Sequence, residues 1–125
     1  MRKKSDTLTG QELEIMKVIW PRGQATIREV YDELRTERTI AYTTVQTMMN
    51  ILETKGHLKK EAGDKAHVYT PVRAQQLVVR SMVREFVNRV FDGSARPLLV
   101  HLLKEKGLTE RERKELQKLL DKEES

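Results

Sequence analysis

Along most of this chain apolar positions recur with a helical period, and between residues 57 and 71 that period gives way to short alternation. The stretch Ala41 to Gly56 is the most informative. Val45, Met48, Met49 and Leu52 stand at i, i+3, i+4 and i+7, the apolar stripe of one amphipathic helix, and Gly56 supplies its stop. Its other face carries Thr43, Gln46, Thr47 and Asn50, and from Thr39 to Leu52 there is no charge, although 34% of the chain is charged. Short hydroxyls and amides hold directional donors and acceptors close to the backbone, which suits contact with base edges in a DNA major groove. The plain alternative is a polar helix face with no partner.

Two helices are expected before it. Thr9 and Glu12 form a capping box flanked by Leu8 and Leu13 as a hydrophobic staple, opening a helix that runs through Met16 and Ile19 to Trp20 and stops at Pro21-Arg22-Gly23. Thr26 and Glu29 repeat the box, with Ala25 and Val30 as a weaker staple and Ile27, Val30, Tyr31 and Leu34 as the buried stripe. Three helices within about fifty residues, the third with an uncharged polar face, predict a helix-turn-helix.

Beyond Gly56, His57–Ala62 and Ala66–Pro71 read as two strands joined by a Gly63-Asp64-Lys65 turn, with Lys59, Lys60 and Lys65 near the tip. Placed after a helix-turn-helix, such a hairpin is a wing whose cations meet phosphate. Lys on an edge strand also simply deters aggregation.

From Arg73 to Phe91 helical spacing returns, with Val79, Met82, Val83, Phe86, Val87 and Val90 on one side. Asp92-Gly93-Ser94 breaks it, Ser94 is placed to cap a fifth helix that holds Pro97 in its first turn, and Gly107 is placed to end that helix. Leu98, Leu99, Val100, Leu102 and Leu103 leave this helix apolar nearly all round. Thr109 and Glu112 form a third capping box before a last helix with Leu116, Leu119 and Leu120. About fifty residues cannot bury so much apolar surface alone, so these helices are expected to pair with their own copy. The predicted architecture is mainly α with a small β-hairpin wing: a winged helix-turn-helix domain over residues 1–72 and a C-terminal helical dimerisation domain over residues 73–125.

Charge and composition narrow the partners. The 125 residues hold 24 basic and 19 acidic side chains, a formal net charge of +5, which mildly favours a polyanion. No Cys is present, so disulfides, thiolate metal sites and thiol nucleophiles are excluded. No apolar run reaches the roughly 18–20 residues of a membrane span and Met1-Arg2-Lys3-Lys4-Ser5-Asp6 lacks a signal-peptide core, so a cytoplasmic protein without direct membrane binding is expected. With few aromatics, a single-strand binder built on base stacking is disfavoured. Ser81 and Ser94 lack a triad context, His57, His67 and His101 are too scattered for a ligand set, and there is no glycine-rich phosphate loop, so neither an enzyme nor a metal or other cofactor is expected.

Leu13-Glu14-Ile15-Met16-Lys17-Val18-Ile19-Trp20, Tyr42-Thr43-Thr44-Val45-Gln46-Thr47 with Leu52 and Lys55-Gly56, and His67-Val68-Tyr69-Thr70-Pro71 together resemble the penicillinase-repressor family of bacterial winged-helix regulators, over nearly the whole chain. The resemblance implies a homodimer on a palindromic operator, repressing nearby genes, with base contacts from Thr43, Thr44 and Gln46. Well-known members carry a basic residue in place of Gln46; Gln pairs best with adenine and Arg with guanine, so the preferred operator should differ. Members coupled to a membrane-bound sensor protease are inactivated by a cut in the C-terminal helices; the corresponding stretch here is Leu99-Val100-His101-Leu102-Leu103, which lacks the Asn-Phe pair of that cut, and His101-Leu102 marks its place. The copper-responsive branch uses C-terminal cysteines, which this chain does not have.

The functional expectation is a DNA-binding transcriptional repressor. Thr43, Thr44, Gln46 and Thr47 read bases, Thr26, Arg28, Tyr42, Lys59, Lys60 and Lys65 hold phosphate, and the basic Arg2-Lys3-Lys4 arm assists. The dimer interface draws on Val79, Met82, Val83, Phe86, Val87, Val90, Leu98, Leu99, Leu102, Leu103, Leu116, Leu119 and Leu120. The competing reading is a winged-helix protein-interaction module without sequence-specific DNA binding, because a fold does not fix a function.

Overall fold

The computed structural model describes residues 7–105 and 107–124, so the Arg2-Lys3-Lys4 arm lies outside the described residues. In chain order the elements are α1 (Gly10–Arg22), α2 (Ile27–Leu34), α3 (Tyr42–Thr54), β1 (Leu58–Glu61), β2 (Val68–Pro71), α4 (Gln75–Phe91), α5 (Arg96–Lys104) and α6 (Glu110–Glu124). This is a mainly helical fold with a two-stranded antiparallel wing, as the residue pattern predicts.

Local capping sets the helix starts. In α1 the Thr9 hydroxyl accepts from the Glu12 N–H at 3.1 Å while the Glu12 carboxylate accepts from the Thr9 N–H at 2.9 Å. Thr26 and Glu29 do the same for α2, and Thr109 and Glu112 for α6. Pro21 sits inside the last turn of α1, and the helix ends only at Gly23, whose φ of +82° admits the left-handed conformation. At the end of α3, Gly56 takes φ +87°, and the N–H groups of Gly56 and His57 return to the carbonyls of Glu53 and Leu52. That double closure takes up carbonyls the helix would otherwise leave unpaired.

The chain forms two compact units that divide between Ser81 and Met82, inside α4, whereas the sequence pattern changes after residue 72. The first turns of α4 go with the first unit, where Val78 is buried and the Trp20 indole donates to the Arg73 carbonyl at 3.2 Å.

In the first unit α1 packs on α2, α3 and β2, and α3 packs on α2 and β1. Its core takes Ile15, Met16 and Ile19 from α1, Val30 and Leu34 from α2, and Val45, Met49 and Leu52 from α3, each at most 1% exposed, while Ile27, Tyr31 and Met48 of the predicted stripes are half-buried. The hairpin is shorter in its strands than the sequence suggests. Leu58 pairs with Pro71 and Glu61 with Val68, leaving residues 62–67 as the connection in place of a Gly-Asp turn. Tyr69 fixes this register, because its backbone also exchanges two hydrogen bonds with Ala25, at 2.8 and 3.0 Å, outside the hairpin.

In the second unit α4 ends at Asp92 and Gly93, both with positive φ, and α5 packs on α6. Ser94 is not the cap of α5: the N-cap position is Ala95, in a helical conformation with no side-chain hydrogen bond. Nor does α5 reach Gly107. It stops at Lys104, and the Arg113 guanidinium of α6 donates to the carbonyls of Leu103 and Glu105, serving the open end of the helix.

Candidate nucleic-acid interface

The apolar stripe of α3 is committed to the core, which turns the uncharged face outward. Thr43, Gln46 and Thr47 are exposed, and Thr44 and Asn50 are half-buried. The four side chains first grouped by spacing therefore share one surface, with Thr44 at its margin.

A groove of about 240 Å³ runs beside that surface. Gln46, Asn50 and Tyr42 of α3 form one wall, Thr26 and Arg28 at the start of α2 another, and Lys60, His67 and Tyr69 of the wing the third. Two of its lining side chains, Arg28 and Lys60, are cationic, His67 adds an imidazole, and no acidic residue lines it. Such a concavity attracts an anion and disfavours a cation. Arg28 pairs at 3.4 Å with Asp32 and lies 5.7 Å from the centre of the Tyr31 ring. Tyr31 in turn meets Tyr42 edge to face at 5.5 Å. Arg35 approaches the Tyr31 ring as well, at 5.3 Å. These contacts bring Arg28 and Tyr42 to the same groove from two helices, favoured by the ring quadrupole.

The predicted phosphate contacts divide. Thr26, Arg28, Tyr42 and Lys60 line the groove. Lys60 stands opposite Tyr69 in the ladder, with its ammonium 5.9 Å from that ring. Lys59, the neighbouring strand residue, points to the other face and pairs with Glu61 at 3.8 Å, and Lys65 is exposed in the connection. His67 and Tyr69 of the wing line the groove as well. His67 is part of the His67–Pro71 motif, and Tyr69 is 1% exposed yet reaches the groove with its hydroxyl, 2.9 Å from Asn50 Oδ1. Alternation marks Tyr69 as core, and nothing local to it reveals a partner nineteen residues away.

The residues expected to pair two copies also divide. Val83, Phe86 and Val90 are exposed along α4, at 50, 40 and 50%, as are Leu102 of α5 and Leu119 of α6 in the same unit, while Val79, 39% exposed, belongs to the first unit. Met82, Leu98, Leu99, Leu103 and Leu116 are half-buried. Val87 and Leu120 are buried within the chain, so they serve the core of this unit. His101 and Leu102 are exposed on α5, and the His101 ring lies 6.1 Å from that of Phe91. No described helix is long and apolar enough to cross a membrane.

Comparison with known proteins places this geometry. The penicillinase repressor family model matches residues 8–122. The penicillinase repressor of Bacillus licheniformis is 31% identical over 119 residues, 95% of this chain and 93% of that one. The transcriptional regulator BlaI of Mycobacterium tuberculosis is 34% identical over 101 residues, 79% of this chain and 73% of that one. The solution structure of the DNA-binding domain of the repressor BlaI superposes with a TM-score of 0.52 at 36% identity, covering 60% of this chain and 90% of that one. The structure of monomeric B. licheniformis BlaI with the blaP half-operator gives 0.51 at 36% identity, covering 61% and 92%. These relatives are named as repressors or transcriptional regulators, and the winged-helix fold is shared with the solved BlaI domain. The chain belongs to the penicillinase repressor family.

Proposed function

We propose that this protein is a sequence-specific DNA-binding repressor of transcription that acts as a homodimer on a palindromic operator. The observation that carries the reading is the exposed, uncharged row Thr43, Gln46 and Thr47 standing beside a groove lined by Arg28, Lys60 and His67. Hydroxyls and amides suit base edges and the flanking Arg28 and Lys60 cations suit phosphate, a division of labour typical of groove-reading helices. The similarity to BlaI, solved in complex with a half-operator, supports DNA as the partner here. Thr44, at the edge of the row, is the fourth base-reading position, and Lys59 and Lys65 are outer phosphate contacts.

Pairing is assigned to the apolar row on α4 with Leu102 and Leu119. A symmetric dimer sets two copies of α3 about 34 Å apart, or a multiple of it, so that spacing selects palindromes. Relief of repression is assigned to a sensor protease cutting near His101-Leu102. Both residues are exposed but helical, so α5 must open locally before an extended segment can enter a protease.

Salt dependence tests the reading against a protein-interaction module. Four cationic phosphate contacts per protomer, Arg28, Lys59, Lys60 and Lys65, predict for the dimer a loss of DNA affinity on the order of 10⁴-fold between 50 and 200 mM salt. Binding that is undetectable at 50 mM, or indifferent to salt, refutes it.

A further inference from the structure

The Tyr69 hydroxyl reaches the recognition surface from a position that is otherwise pure core. Its ring is 1% exposed, its backbone exchanges two hydrogen bonds with Ala25, and Lys60 stands opposite it in the ladder. A side chain anchored on both sides of its strand is a fixed post. The one polar atom it carries into the groove donates to Asn50 Oδ1 at 2.9 Å.

From this geometry we infer that Tyr69 is a positioning residue that holds Asn50 as an oriented hydrogen-bond donor, and that Asn50 contacts a base and helps to determine operator sequence. The inference rests on the DNA-reading function proposed above. Asn50 lines the groove with Gln46 and a second hollow with Thr47, so it adjoins two residues of the base-reading row. An unrestrained Asn amide can flip and offer either its oxygen or its NH₂ group. Here the phenol donates to the amide oxygen; in the flipped amide the phenol oxygen would accept from the NH₂ group and the phenolic hydrogen would lose its acceptor. In the observed arrangement the NH₂ group is turned away from Tyr69 and stays available as a donor. Unrestrained Asn suits the paired acceptor and donor of adenine; Asn committed as a donor suits an acceptor edge, guanine N7 and O6 or thymine O4. Tyr69 thus acts on sequence choice through Asn50, without touching a base.

The full-length wild-type chain is first used to enrich its preferred duplex from a random-sequence pool. Affinities of wild type, Tyr69→Phe, Asn50→Ala and the double variant are then measured for that duplex and for a scrambled one. Tyr69→Phe keeps the ring, so folding is checked by a cooperative melt and by unchanged affinity for the scrambled duplex. The expected result is a fall of about 5- to 30-fold in the ratio of the two affinities for each single variant, centred on a guanine or thymine of each half-site, with no further fall in the double variant. Full discrimination by Tyr69→Phe, equal losses on both duplexes, or additive losses overturn the inference alone. A pool that wild type does not enrich overturns the DNA-reading function and this inference with it.

Discussion

Lys55 Nζ lies 2.8 Å from Glu12 Oε1, joining the end of the recognition helix α3 to the capping box of α1. Glu12 is 3% exposed, and the same oxygen accepts from the Thr9 N–H. Burial pushes its carboxyl pKa up, but the hydrogen bonds from Lys55 and Thr9 and the Lys55 charge together outweigh that and hold it below its ordinary value. A carboxyl lowered in the folded state adds stability above its unfolded pKa, about 4.3, and that stability disappears as pH falls through the folded value. Lys55→Met should therefore destabilise the protein by about 2 kcal/mol at pH 7, somewhat under a fully buried pair because Lys55 keeps 29% exposure. Urea unfolding at pH 7 and pH 3 checks it: the difference from wild type should shrink at the lower pH, and an equal difference at both would contradict the bridge.

Gln46 and Lys60 line the same groove but should fail differently. Gln46→Ala should reduce discrimination at one base pair per half-site by roughly 1–3 kcal/mol, since a directional amide contact is lost. Lys60→Ala should weaken every duplex by a similar factor and lower the salt slope. Fluorescence anisotropy on operator and random duplexes separates the two. Equal losses on both duplexes for Gln46→Ala would remove its base-reading role.

What could be read ahead of the structure was whatever depends on near neighbours in the chain. The boxes Thr9–Glu12, Thr26–Glu29 and Thr109–Glu112 were legible because both halves lie within four residues. The polar row on α3 was legible because burying Val45, Met49 and Leu52 fixes where Thr43, Gln46 and Thr47 point. The wing connection was not, because its register is set by Tyr69 bonding to Ala25, far back in the chain. The same holds for Glu12 with Lys55 and Asn50 with Tyr69, whose separations of 43 and 19 residues leave no periodic trace. Composition alone also could not divide the apolar residues after 73 into inner ones, such as Val87 and Leu120, and outer ones, such as Val83 and Val90.

Gly63 is required by space, not by backbone conformation. Its φ is not in the positive range, but a Cβ there would collide with the Ala66 carbonyl oxygen and come within 2.8 Å of Val68 Cγ2. Gly63→Ala should force the connection outward and destabilise the hairpin by about 1–3 kcal/mol, as overpacking does. Because the connection carries Lys65 and His67, affinity for all duplexes should drop together. Amide exchange in β1 and β2 reads the first effect directly, and unchanged protection would show that the loop absorbs the methyl without strain.

Val83 and Val87 stand one helical turn apart on α4, the first 50% exposed and the second 8%. A charge at Val83 should leave the protomer folded, because the side chain contributes little to its own unit. It should still prevent pairing, because a carboxylate would be buried without a partner in an apolar interface. Val83→Asp is therefore expected to sediment as a folded monomer and to lose operator affinity by about 10²-fold or more, since two half-sites are no longer bound together. Val87→Asp should instead unfold the C-terminal helices, visible as lost helicity at 222 nm. An intact dimer for Val83→Asp would exclude the α4 row from the interface. Equal unfolding of both variants would show that the row belongs to the interior of the protomer.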